Sequence, residues 1–224
     1  TQTEAGDGFG RTLAAGDFDG NGYPDLAVGH HDEDGRERDS GAVSVIFSSS
    51  GGLDGTRREY WTQGLGVDQE DERDQFGTSL AAGEFTGDGI DDLAIGTPRD
   101  RYERRFGFDR HFAGQVTVLY GTTSGLRVTG RSDWHQAKPG VASSPAVWDF
   151  FGAALAVGYF NDDRYADLIV GVAGEDMFLT DRSRQKDAGM AHILYGTAAG
   201  LSTSRALGRS VIAEPLRLNG AGRA

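Results

Sequence analysis

Residues 9–29 open with Phe9-Gly10, run through Leu13-Ala14-Ala15-Gly16, continue as Asp17-Phe18-Asp19-Gly20-Asn21-Gly22-Tyr23-Pro24-Asp25, and close on Leu26-Ala27-Val28-Gly29. Two short apolar runs flank a loop of Asp, Asn and Gly, the pattern of two β-strands joined by a tight turn. The same arrangement returns as Phe76-Gly77, Leu80-Ala81-Ala82-Gly83-Glu84-Phe85 and Asp92-Leu93-Ala94-Ile95-Gly96. It returns again as Phe151-Gly152, Leu155-Ala156-Val157-Gly158-Tyr159-Phe160 and Asp167-Leu168-Ile169-Val170-Gly171. A second block follows each copy: Gly41–Phe47, Gly114–Tyr120 and Gly189–Tyr195, each leading to a Gly-Leu pair at Gly52-Leu53, Gly125-Leu126 and Gly200-Leu201.

The repeats predict four strands each and no helix, because no apolar stripe of helical period is long enough. Strands are expected near 9–16, 25–29, 42–48 and 57–63 in the first repeat. In the second they are expected near 76–83, 92–97, 115–121 and 131–137, and in the third near 151–158, 167–172, 190–196 and 205–212. Four-stranded units repeated in this way make β-propeller blades. The whole of 1–224 is then one all-β propeller region, with blade one at 9–67, blade two at 76–137, blade three at 151–212 and a tail at 213–224. Phe9, Phe76 and Phe151 are expected in the core, and Trp61, Trp134 and Trp148 between blades.

The Phe-Gly opening, the Gly-acidic-Phe loop and the Asp-Leu-x-Val-Gly exit resemble FG-GAP repeats, as in the integrin α-subunit propeller and bacterial secreted proteins. That resemblance covers residues 9 to about 212 and implies a propeller of more blades than three. An open set of three leaves a strand edge and a blade face bare. The chain is therefore expected to be a partial propeller, completed by further blades of the same precursor or by a second chain, a homodimer of six blades included.

The loops between the first two strands carry the chemistry. In the first, Asp17, Asp19 and Asn21 offer side-chain oxygens, Tyr23 a carbonyl and Asp25 a closing carboxylate. Oxygen ligands at alternate positions of a tight loop suit Ca2+. An ordinary turn explains Asp, Asn and Gly singly but not their spacing. The second loop offers Glu84, Thr86, Asp88, the carbonyl of Ile90, and Asp92, a weaker set on charge, with Asp91 directed to the other side. The third offers Asn161, Asp163, the carbonyl of Tyr165, and Asp167. No carboxylate stands at its first position, Tyr159, and Asp162 is wrongly spaced to replace one. A plain turn explains this loop equally well. Mg2+ suits an all-protein cage less well, since it retains its own waters.

Composition narrows the function classes. The chain of 224 residues is 38% hydrophobic, enough for a globular core. Its net charge of −12 opposes binding to nucleic acid. There is no cysteine, hence no disulfide or thiol chemistry, and no apolar run long enough for a membrane span. Thr1 to Asp7 lacks the features of a secretory signal, as in a mature or trimmed chain. No nucleophile elbow, zinc-protease or phosphate-loop motif occurs, so no catalytic residue is expected. The long connections at 30–41, 97–114 and 172–189 carry His30-His31-Asp32-Glu33-Asp34, then Arg99, Arg101, Tyr102, Arg104, Arg105, Phe106, Phe108 and His111, then Glu175 to Phe178. Such loops on a rigid scaffold suit ligand contact or simple solvation. The His30-His31 pair is expected at the surface without a metal.

Taken together, the residues and the resemblance imply an extracellular, secreted, calcium-stabilised and non-catalytic binding or adhesion module with a protein or glycan ligand. A lectin-like propeller, with Trp61 or Trp134 in the sugar site, and a structural propeller appended to a secreted hydrolase are the alternatives. Only Lys138 and Lys186 are lysines, which hints at a GC-rich bacterial source.

Overall fold

Alternation of apolar and small residues sets the strands, and glycine or Asx turns end them. A computed structural model describes residues 6–64, 72–103, 109–110, 112–141, 143–178, 184–203 and 211–212. Blade one is β1 (Thr12–Gly16), β2 (Asp25–His30), β3 (Ala42–Ser49) and β4 (Gly52–Trp61). Then come β5 (Ser79–Gly83), β6 (Asp92–Thr97), β7 (Tyr102–Glu103), β8 (Asp109–Arg110), β9 (Gln115–Tyr120) and β10 (Arg127–Trp134). The last group is β11 (Phe151–Gly158), β12 (Asp167–Val172), β13 (Met177–Phe178), β14 (Arg184–Gln185), β15 (Met190–Leu194) and β16 (Val211–Ile212). The three sheets are antiparallel meanders of four strands, in the orders β1-β2-β3-β4, β5-β6-β9-β10 and β11-β12-β15-β16. All described strands are β and no helix is present among the described residues. This is the all-β, open set of propeller blades the repeats predict.

The boundaries differ in places. β1 starts at Thr12, because Gly10 has φ +85° and the Phe9-Gly10 pair forms a turn rather than the head of the strand. β4 starts earlier than expected, since Gly52 pairs with Ser49 in a tight hairpin and the register slips between Ile46 and Ser48. β10 likewise starts at Arg127. The hairpins β7-β8 and β13-β14 sit inside the long connections, where no strand was expected. Of the fourth strand of blade three only β16 is described, since 204–210 lie outside the described residues. The tail 213–224 and the cluster Arg104, Arg105, Phe106, Phe108 and His111 also lie outside them.

The sheets pack face to face, with β5 between β1 and β11. One core lies between blades one and two and includes Phe18, Val43, Val45, Phe76, Leu93 and Ile95. The other lies between blades two and three and includes Phe85, Val116, Phe151, Leu168 and Val170. A fully buried side chain of this size stabilises by about 1.5–3 kcal/mol.

The same contacts recur at both seams. The Thr12 hydroxyl donates to the Gly77 carbonyl at 2.7 Å, and the Ser79 hydroxyl donates to that of Gly152 at 2.6 Å. The Asp91 N–H donates to the Asp17 carbonyl at 3.0 Å, and the Ala166 N–H to that of Glu84 at 2.9 Å. Ile90 seats against Gly20, and the Tyr165 ring against Gly87, where a Cβ would collide with the ring. The outward faces lack these devices. Blade three has Ala154 where the hydroxyl belongs and Asp162 in place of the glycine, and blade one has Pro24, which carries no N–H.

Exposure follows the seams. Phe18 and Phe85 are fully buried, whereas Phe160, at the same place in blade three, is 44% exposed. On the other side Leu13 is 59% exposed, and Phe9 is 61% exposed, contrary to its expected place in the core. Phe76 and Phe151 are buried because a preceding blade covers them, and Phe9 has none described beside it. Trp148 is also not packed away between blades, being 53% exposed, while Trp134 is buried.

Candidate metal loops

The loop after β1 is wrapped around its own acidic side chains. Asp17 accepts the N–H groups of Asn21 and Gly22, Asp19 accepts that of Asn21, and the Asn21 side-chain oxygen accepts that of Tyr23. Gly20 and Gly22, at φ +67° and +85°, permit the tight coil. Donor oxygens of Asp17, Asp19 and Asp25 lie within 4.8 Å of one another, the one such acidic group among the described residues. Asp19 and Asp25 are buried. Burial pushes the Asp25 carboxyl above the usual range, the N–H groups of Ser48 and Phe18 oppose this, and nearby Asp19 and Asp17 push it further up. Three converging carboxylates in a partly dry loop fit a divalent cation, which offsets their mutual repulsion. Tyr23 lies in the same loop, with its N–H engaged as described.

Arg57, reaching over from β4, pairs with Asp19 through Nη1 and stacks its guanidinium over Phe47 at 4.2 Å. No sequence signal marked it, since it lies in another strand.

The second loop repeats the backbone, with Gly87 and Gly89 at φ +79° and +87°. Its carboxylates do not converge. One Glu84 oxygen instead accepts the N–H groups of Thr86, Gly87 and Asp88 as well as the Thr86 hydroxyl, and Asp88 accepts that of Ile90. The extra methylene of Glu84 lets its carboxylate fold into the loop. Asp92 is fully buried and pushed up to about 7 by burial, against N–H groups of Gly121 and Phe85, with Asp88 and Glu84 adding. Asp91 does face away from its own loop, accepting the Asp17 N–H at 2.9 Å.

In the third loop Asp162 and Arg164 replace both glycines, and neither residue adopts a positive φ. Asn161 accepts the Asp163 N–H, and Asp163 accepts that of Tyr165. No acid stands at Tyr159 to draw the coil inward. The closing aspartate nonetheless behaves alike in all three loops. Asp25, Asp92 and Asp167 each accept the N–H of Phe18, Phe85 or Phe160 and that of Ser48, Gly121 or Gly196. That aspartate, at the head of the second strand, ties the loop before it to the end of the third strand, whether or not the loop coils for a cation.

The histidine pair is buried, contrary to its expected surface position. His30 Nε2 lies 3.2 Å from the Ser44 hydroxyl and Nδ1 lies 3.4 Å from Glu33, between the rings of Phe9 and Tyr60. Burial lowers the His30 pKa and Glu33 opposes this. The order Ser–His–Glu resembles a nucleophile relay, but Ser44 is mid-strand, paired to Val28 on one side and Tyr60 on the other. Its neighbouring N–H groups serve the sheet ladder rather than a developing oxyanion.

Residues 9–46 and 76–119 match the family model FG-GAP repeat. The first two blades are FG-GAP repeats. Blade three shares the sheet order and closing aspartate of these FG-GAP blades. The chain is also similar to integrin alpha-PS2 of Drosophila melanogaster, 31% identical over 189 residues that make up 82% of this chain and 13% of that protein. It is 32% identical to integrin alpha-5 of Xenopus laevis over 183 residues, 79% of this chain and 16% of the relative. Integrin alpha-8 of Gallus gallus is 31% identical over 171 residues, 75% of this chain and 14% of the relative. The FG-GAP chain thus spans about a sixth or less of the curated relatives it matches. No described helix is long and apolar enough to cross a membrane.

Proposed function

We propose that the chain is part of a calcium-stabilised, non-catalytic binding or adhesion propeller that works outside the cell. The observation that carries this is the convergence of Asp17, Asp19 and Asp25 in the first loop. Asn21 and the Tyr23 carbonyl complete that ligand set, and the ion fixes the loop that blade two packs against. Glu84, Thr86, Asp88, the Ile90 carbonyl and Asp92 form a second, weaker site. Asn161, Asp163, the Tyr165 carbonyl and Asp167 form a turn that binds least. Weak multi-carboxylate sites of this kind fill at extracellular calcium levels and stay largely empty in a cytosol, which supports a secreted location. The scarcity of lysine remains the ground for a bacterial source, although the relatives named above are animal proteins.

The open faces around Leu13 and Phe160 support completion by further blades. Pro24 offers no N–H to any blade that precedes blade one, so completion by blades of the same precursor and by a second copy both remain readings of these faces. The deciding experiment is the melting temperature in excess calcium and in chelator. Binding to the native state alone adds about 2.7 kcal/mol at a hundredfold excess over Kd. A clear rise supports the reading, and identical curves overturn it.

A further inference from the structure

Three positions around each seam adopt a left-handed backbone without being glycine, and their side chains differ between seams. Between blades one and two they are Asp39, Arg73 and Gln75, at φ +52°, +69° and +61°. Between blades two and three they are Phe112, Trp148 and Phe150, at φ +57°, +73° and +59°. The backbone is the same: Gln75 donates to Asp39 O and Phe150 to Phe112 O. At the first seam Arg73 faces Asp39 across 3.9 Å. At the second, Trp148 lies 4.5 Å from Phe112 and 5.9 Å from Phe150, centroid to centroid, and Arg99 covers Phe112. Polar residues satisfy the same backbone at the first seam, so the fold does not require aromatic rings at the second.

Trp148 borders a groove of about 430 Å³ that Asp176, Arg184, Lys186 and Asp187 also line. Asp176 accepts two N–H bonds from Arg184, and Lys186 lies 3.9 Å from Asp187. These are two acids and two bases, balanced charge on a chain of net −12. An exposed indole lining one groove with donors and acceptors of no net charge suits a ligand that is apolar on one face, hydroxyl-rich at its edge and uncharged. We propose that this groove binds a neutral pyranose of a glycan, with one sugar face on Trp148 and its hydroxyls toward Asp176, Arg184, Lys186 and Asp187. The proposal rests on the binding-module reading and supplies its ligand class; the calcium response is measured separately and stands if this fails. It also moves the sugar-binding tryptophan from Trp61 and Trp134, which the sequence favoured, to Trp148.

The test applies the 224-residue chain to an array of neutral and anionic glycans beside a peptide array. Hits are followed by saturation-transfer NMR with methyl pyranosides. The double variant Trp148→Arg, Phe150→Gln places at two of the three positions the residues of the other seam, and circular dichroism checks that it keeps the fold. Expected are retention of neutral glycans, little change with salt, and at least tenfold weaker retention by the double variant. Trp61→Phe leaves retention intact. The proposal is overturned if the folded chain retains no neutral glycan, retains only anionic glycans or peptides, or retains neutral glycans equally well after the double substitution.

Discussion

Asp17 and Asp91 exchange two hydrogen bonds across the first seam: the Asp91 N–H donates to the Asp17 carbonyl at 3.0 Å, and the Asp17 N–H donates to the Asp91 carboxylate at 2.9 Å. The residue that opens the first acidic loop is thus also the one that blade two holds. Order in that loop and adhesion between the blades are the same event.

Asp91→Ala therefore removes one acceptor and is expected to lower stability by about 1 kcal/mol. Asp91→Asn retains a carbonyl oxygen and should restore most of it. Chemical denaturation of the two variants checks this, and an equal loss in both would assign the effect to charge instead.

Asp19→Ala and Asp25→Ala should separate the cation from the brace. Asp25 accepts two N–H groups, and leaving buried donors unmet costs about 1–3 kcal/mol each. Its variant should lose stability even in chelator, and lose the calcium-induced rise besides. Asp19→Ala should abolish the calcium-induced rise and leave the chelator curve within a few degrees. Calorimetric scans of both in the two buffers provide the measurement.

Arg57→Met should strengthen calcium binding several-fold, since the guanidinium paired to Asp19 competes for a ligand oxygen. Methionine keeps an apolar stem over Phe47. Titration calorimetry reads the Kd directly, and unchanged or weaker binding would show that Arg57 stands clear of the cation.

Glu175 governs a pH response. Burial, with Asp149 beside it, pushes its carboxyl from 4.5 up to about 7, against a bond from Gln136. A raised folded pKa means the native state holds the proton more tightly than the unfolded chain. The associated stability is present below about pH 4.5 and is lost as pH rises toward 7, by up to about 3 kcal/mol. Glu175→Gln stays neutral throughout, so its advantage over the parent should grow across that window. Denaturation midpoints at pH 5 and pH 8 decide the matter.

The blades were legible because each repeats its strand pattern and its Phe-Gly and Gly-Leu marks, and local pattern is what sequence carries well. The first acidic loop was legible for the same reason. Glu84 was not, since residue type does not tell that its carboxylate, which takes its loop's N–H groups as Asp17 does, stands apart from those of Asp88 and Asp92. Nor was the double duty of Asp25, Asp92 and Asp167, whose bonds to Ser48, Gly121 and Gly196 come from a distant strand. Phe9 and Phe160 carry the family's marks yet stand exposed, because burial there depends on a neighbouring blade. Trp148 meets Phe112 and Phe150 through left-handed backbone that no residue type announced.

The seam chemistry gives the blades unequal abilities. Blade two has the Ser79 hydroxyl and the Gly87 socket on one side and the Asp91 N–H on the other, so it alone owns both halves of the joint. Blade one carries only the half of this joint that receives a following blade and blade three only the half that docks on a preceding one, so a further blade at either open face is held by other contacts. A tandem array engineered from blade two would be self-compatible at every junction, each unit identical to its neighbours, whereas arrays of either flanking blade would lack this joint.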